Sequence, residues 1–107
     1  MPDEIKIKYN IGLMRMIKAL DNHIRLLIVQ FVLNSSSVSF TQILEYLKEE
    51  SGEISKGTLS YHLDLLLEGE VLSRTLERSK GREYSQYNVT DNAEKIFESL
   101  GLLEFVK

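Results

Sequence analysis

ISKGTLSYHLDLLLEGEVLSRTLERSKGREYSQYNVT, residues Ile54–Thr90, is the stretch whose reading decides the fold. Ser55 stands where a hydroxyl can take a backbone N–H of a first helical turn, and Leu59, Leu63, Leu66 and Leu67 follow at helical spacing. Gly69 ends that helix and is expected in the left-handed conformation. Val71, Leu72, Thr75 and Leu76 then suit a strand, and Tyr84, Tyr87 and Val89 suit its antiparallel partner. Ser79-Lys80-Gly81-Arg82 supplies the reversal, with Gly81 able to take a positive φ. A helix over Ser55–Glu68 followed at once by a hairpin over Val71–Val89 makes half of a recognisable unit.

The other half lies upstream. Ser39 with Gln42 is a capping box that opens a helix through about Glu50, with Ile43, Leu44 and Leu47 on its apolar face and Phe40 near its start. Ser51-Gly52-Glu53 turns the chain, and two helices joined by a short glycine-containing turn form a helix-turn-helix. Further out, Ile11, Met14, Ile17, Ala19 and Leu20 predict a first helix over about Asn10–Leu20. Asp21 is placed to cap a second helix, whose buried stripe is Ile24, Leu27, Ile28, Phe31 and Val32. Asn34-Ser35-Ser36-Ser37 breaks it, because short polar side chains compete for backbone bonds. Downstream, Asp91 and Glu94 form a second box of the capping type, and Ala93, Ile96, Phe97, Leu100 and Leu103 share one side of the helix it opens. The expected architecture is one domain over residues 1–107, mainly α with a small β-hairpin, in the order α-α-α-α-β-β-α: a winged helix-turn-helix.

Composition narrows the function classes. A chain of 107 residues with 43% hydrophobic content buries a limited core, so an oligomer that hides more apolar surface is reasonable. The apolar run near Leu26–Leu33 is too short to span a bilayer, and MPDEIKIKYN lacks the layout of a signal peptide. Zero cysteines excludes disulfides, thiolate metal sites and cysteine nucleophiles. These features point to a cytoplasmic protein. The net charge of −3 hides an uneven distribution. Residues 73–83 hold Arg74, Arg78, Lys80 and Arg82 against Glu77 and Glu83, a local +2. Residues 43–54 hold Lys48 against four glutamates, −3, and residues 91–107 hold two lysines against four acids, −2. The hairpin is a basic island on an acidic chain.

With the leucine stripe turned inward, Lys56, Gly57, Ser60 and Tyr61 face outward near the start of the Ser55–Glu68 helix, with Thr58 at the margin. That end of a recognition helix meets base edges and phosphates. Gly57 weakens the helix and packs nothing, which suits close approach of a phosphate. The same residues also fit a solvated first helical turn. Arg78, Lys80 and Arg82 at the hairpin tip can reach phosphate or a minor groove, or can simply keep an exposed turn soluble. Tyr84 and Tyr87 are expected to pack in or beside the sheet, and His62 to be a partly buried packing residue. His23 is expected at the surface. The two histidines lack ligand spacing, and no nucleophile–base pair or phosphate-cradling glycine loop stands out, so neither a metal, a cofactor nor an enzymatic activity is expected.

ALDNHIRLLIVQFVL, Ala19–Leu33, resembles the opening of ArsR-type winged-helix transcription regulators. SKGTLSYHLDLLLEGEVL, Ser55–Leu72, resembles their recognition helix, including the core Ser60-Tyr61-His62-Leu63. GREYSQYNVTDNAEKIFESL, Gly81–Leu100, is similar to the wing strand and C-terminal helix of small archaeal members. The resemblance covers about Ala19–Leu103 and implies a homodimer that binds double-stranded DNA. Its recognition helix, about 55–68, would lie in the major groove and its wing, about 71–89, on the backbone or in the minor groove. The DNA-binding set is then Ser55, Lys56, Gly57, Thr58, Ser60, Tyr61, Arg78, Lys80 and Arg82. Metal-sensing members carry cysteine pairs or Asp/His/Glu ligands that this chain lacks, so control by a metal does not carry over. His23 also stands where many relatives have proline.

The dimer has a physical argument of its own. Ile11, Leu13, Met14, Met16 and Ile17, with Leu100, Leu102, Leu103, Phe105 and Val106, exceed what one face of a small domain needs. Pairing across a two-fold would bury them and set two recognition helices about one DNA turn apart, roughly 34 Å. The interface residues expected are Ile11, Leu13, Met14, Ile17, Phe97, Leu100 and Leu103, unless these helices pack only on their own core. Two further readings remain beside sequence-specific regulation: an architectural chromatin protein, and a winged helix used for protein–protein contact, to which the acidic third helix is suited.

Overall fold

The computed structural model of the protein describes residues 4–105. Side-chain caps set most of the element boundaries. Asn10 accepts from the Leu13 N–H and opens α1, Ile11–Leu20. Asn22, rather than Asp21, caps α2, His23–Ser35, by accepting from the Arg25 N–H at 3.1 Å. Asp21 instead closes α1, its own N–H bound to the Lys18 carbonyl. One residue decides between the two, because only Asn22 is extended and aims its side chain along the new helix axis.

The Ser39–Gln42 box forms in full, with bonds of 2.8 and 3.2 Å, and starts α3, Phe40–Ser51. Ser55 caps α4, Lys56–Glu68, through the Thr58 N–H at 3.1 Å. The end of α4 departs from expectation. Gly69 has a φ of −78°, and the left-handed residue is Glu70 at +58°. Val71 N–H reaches the Leu66 carbonyl and Glu70 N–H reaches that of Leu67, which makes this end a Schellman motif. Gly69 is required for space. A Cβ there would lie 2.8 Å from Ala19 Cβ and 3.0 Å from the Arg15 carbonyl oxygen, so its absence lets α1 and α4 touch.

The hairpin pairs β2, Leu72–Ser79, with β3, Arg82–Val89, in register from Leu72↔Val89 to Ser79↔Arg82. Its two-residue loop has both positions left-handed, Lys80 at 53° and Gly81 at 77°, as a type I′ turn requires. A two-residue strand, β1 at Val38–Ser39, adds to the far side of β3 and completes a three-stranded antiparallel sheet in the order β1-β3-β2. Two residues carry no periodicity, so β1 has no sequence signature of its own.

α5, Asp91–Ser99, is capped by Thr90, not by Asp91. The Thr90 hydroxyl accepts from the Ala93 N–H and donates to the Glu70 carbonyl at 2.7 Å, tying the end of α4 to the start of α5. A second Schellman motif at Gly101 stops α5 early, so Leu103 lies past the helix rather than on its face. The core sits between the helices and the sheet: Ile28, Ile43, Leu47, Leu59, Leu66 and Val71 are wholly buried. Phe31 stacks on Tyr46 with ring centroids 4.3 Å apart and joins α2 to α3. Among the described residues no helix is long and apolar enough to cross a membrane.

Candidate nucleic-acid interface

Helix α4 buries Leu59, His62, Leu63 and Leu66 and leaves Lys56, Gly57, Thr58, Ser60 and Tyr61 exposed. The division follows from the 3.6-residue period. Ser55 and Thr58 are committed to each other, since the Ser55 hydroxyl donates to Thr58 Oγ1 at 2.9 Å while accepting the Thr58 N–H. Ser60 and Tyr61 make no side-chain hydrogen bond among the described residues, so their hydroxyls remain available to an outside partner. A Cβ at Gly57 would meet only Ser55 Oγ, at 4.0 Å. The fold does not need glycine there, and with the Thr58 N–H taken by the Ser55 cap, the first-turn N–H groups of Lys56 and Gly57 have no protein acceptor among the described residues.

The wing is the β2–β3 hairpin. β2 spans eight residues, and at about 3.3 Å per residue its tip stands roughly 23 Å from the Leu72–Val89 pair. Arg78 is not free: its Nε and Nη2 both donate to Glu83 Oε1, at 3.1 and 2.9 Å. With Arg78 80% and Glu83 51% exposed, such a pair is worth at most about 1 kcal/mol and gives way readily to a phosphate. Lys80 and Arg82 have no ion-pair partner among the described residues. Tyr84 braces the tip by donating to the Ser79 carbonyl at 2.9 Å, and Tyr87 is buried in the sheet.

A polar group missed in the sequence lies under α4. Arg25, inside the apolar stripe of α2, is 8% exposed. Its Nε donates to the Ala19 carbonyl, and its Nη1 contacts His62 Nδ1 at 3.1 Å. A guanidinium can only donate, so His62 accepts through Nδ1 and carries its proton on Nε2. Burial, and then the neighbouring Arg25 charge, hold the His62 pKa below its ordinary value of 6.5. The trio joins the end of α1, the start of α2 and the middle of α4. An arginine amid Ile24, Leu26 and Leu27 was the available signal, because a buried cation must find acceptors.

The expected dimer residues divide into three groups. Ile11, Met14, Ile17 and Leu100 are exposed, as are Leu102 and Phe105. Leu13 and Leu103 are half-buried, the latter against the core. Phe97 is 4% and Met16 3% exposed; both fill the chain's own core and are unavailable to a partner. Val106 lies outside the described residues.

No protein-family model matches the chain, and no curated protein does. Solved structures do. The transcriptional repressor PagR of Bacillus anthracis is 26% identical over 83% of this chain and 92% of its own, with a TM-score of 0.62. Diamide-treated YodB of B. subtilis is 18% identical over 90% and 92%, with a TM-score of 0.66. Bacillus subtilis PadR, solved in complex with operator DNA, is 16% identical over 80% of this chain and half of its own, with a TM-score of 0.62. The fold is a winged helix-turn-helix. In these terms α3 and α4 are the helix-turn-helix and the β2–β3 hairpin is the wing. The neighbours include PadR as well as other regulators, and they do not single out the ArsR type.

Proposed function

We propose that this protein is a non-enzymatic, homodimeric transcription regulator that binds double-stranded DNA in the cytoplasm, and that α4 enters the major groove. The observation that carries this reading is the outer face of α4: Lys56, Gly57, Ser60 and Tyr61 exposed along the first turns of the helix, on a fold whose wing ends in two unpaired cations among the described residues. The roles of the structural neighbours agree, one being a transcriptional repressor and another having been solved on its operator. Ser60, Tyr61 and Lys56 read, while Arg78, Lys80 and Arg82 anchor on backbone or minor groove. Ser55 acts mainly through the cap it provides. An ArsR-type assignment rests on the Ala19–Leu33 and Ser55–Leu72 sequences.

Selection of bound duplexes from a random pool is the direct test. A consensus should emerge, and Lys56→Ala or Ser60→Ala should change the preference at individual positions by about 1–3 kcal/mol. Binding without any consensus would point to an architectural role. A second reading has one observation in its favour: Glu45, Glu49 and Glu50 are exposed on α3, beside the reading helix, where carboxylates repel phosphate. Absence of duplex binding at low salt, by a folded dimer, would favour protein–protein contact instead.

A further inference from the structure

Beside the reading face, α1 and α4 enclose a cleft of about 560 Å³. Arg15, Lys18 and Ala19 turn toward it from α1 at i, i+3 and i+4, and Tyr61, Leu65 and Glu68 face them from α4 at i, i+4 and i+7. The helices can stand this close because Gly69 has no Cβ to strike Ala19. Arg25 forms part of the inner wall. Three cations against Glu68 leave the cleft a net +2.

The buried guanidinium makes this more than a basic surface. Arg25 has only neutral acceptors, the Ala19 carbonyl and His62 Nδ1, and its Nη2 has no protein acceptor among the described residues. Neither Arg15, Lys18 nor Arg25 has a carboxylate within ion-pairing distance among the described residues. Hydrogen bonds to neutral groups orient a guanidinium but leave its charge without a counter-ion, and since no buried side-chain polar atom among the described residues lacks a partner, the unbonded Nη2 is open to the cleft. An anion in the cleft would supply that counter-ion. Guanidinium forks match oxyanions in geometry, and Tyr61 adds a hydroxyl donor at the mouth.

We propose that the α1–α4 cleft is an oxyanion site that takes a phosphate or carboxylate group carried on a larger molecule. The larger body follows from size, since the cleft falls in the range of about 300–1,000 Å³ typical of small-molecule pockets. Two sources share this chemistry: a backbone phosphate of bound DNA, and the charged group of a free organic anion. Tyr61 belongs to both the cleft and the reading face, so either occupant is sensed by α4.

The test titrates the full chain with inorganic phosphate and follows backbone amide resonances. Saturable shifts are expected at Arg15, Lys18 and Tyr61, with affinity at least tenfold weaker in the Arg15→Gln/Lys18→Gln variant and unaltered in Lys95→Gln, whose side chain is exposed on α5 away from the cleft and the wing. Both replaced side chains of the double variant are exposed, so it keeps the fold. No saturable shift, or equal affinity in the double variant, overturns the site. The salt dependence of duplex binding then separates the sources. A slope reduced by about one or two units in the double variant identifies a backbone phosphate, at about 0.9 unit per contact. An unchanged slope, with phosphate affinity lost, identifies a free anion. Failure of the wild-type chain to bind any duplex would remove the proposed DNA reading, while the phosphate titration would still decide the cleft.

Discussion

His62 shows how one side chain can join stability to the packing of α4. In the folded chain burial and Arg25 disfavour its charged form, so its pKa lies below 6.5, while in the unfolded chain it takes the ordinary value. Between these two pKa values the unfolded state binds more protons, so this contribution is fully present above pH 6.5 and declines as pH falls through the folded pKa. Urea midpoints measured from pH 7.5 to 5 should therefore fall, and His62→Asn, whose Oδ1 can still accept from Arg25, should remove most of that fall. Gly69 makes a steric case at the same scale. Its φ of −78° suits any residue, yet a Cβ would press on Ala19 and on the Arg15 backbone, which cannot move aside alone. Gly69→Ala should cost about 1–3 kcal/mol, read as a lower denaturant midpoint at unchanged slope.

At the scale of elements, the wing depends on a turn that its sequence only half announces. Gly81 is an ordinary choice for a left-handed position, but Lys80 holds φ +53° despite its side chain. Asparagine tolerates that conformation better than most residues. Lys80→Asn should thus leave stability equal or raised while lowering the salt dependence of duplex binding by about 0.9 unit. Unaltered salt dependence would show that Lys80 meets no phosphate. Lys80→Ala would be less informative, because it changes turn and charge together. The caps teach a related lesson. Ser39, Ser55 and the helices behind them were legible, whereas Asp21 and Asp91 lost their expected roles to Asn22 and Thr90, each a neighbour able to do the same chemistry. Local hydrogen-bonding capacity predicts that a cap exists; the direction of the incoming chain decides which residue provides it.

The whole molecule leaves an apolar surface unused. Ile11, Met14 and Ile17 lie on the outer side of α1, and Leu100, Leu102 and Phe105 are exposed at the other end of the chain. Their covering by a second copy is the dimer proposed above. Met14→Lys with Ile17→Lys should yield a folded monomer by sedimentation equilibrium, with unchanged helical circular dichroism and weaker duplex binding, because neither side chain belongs to the core. A wild-type chain that sediments as a monomer would remove the dimer. The early stop of α5 at Gly101 matters here, since a helix ending at Ser99 offers less surface than one carrying Leu103.

The sequence by itself determined the order of helices and hairpin, the inward leucine stripe of α4, and the basic wing tip. These follow from periodicity, caps and turn chemistry, all of which act within a few residues. Only the tertiary structure decided that β1 pairs with β3, that Gly69 serves close packing, that Phe97 and Met16 belong to the core, and that Arg25 meets His62 beneath α4. Each of these depends on residues far apart in sequence being brought together. Ile54–Thr90 specifies a helix and a hairpin through local forces, but the cleft beside that helix exists only because α1 folds back across it.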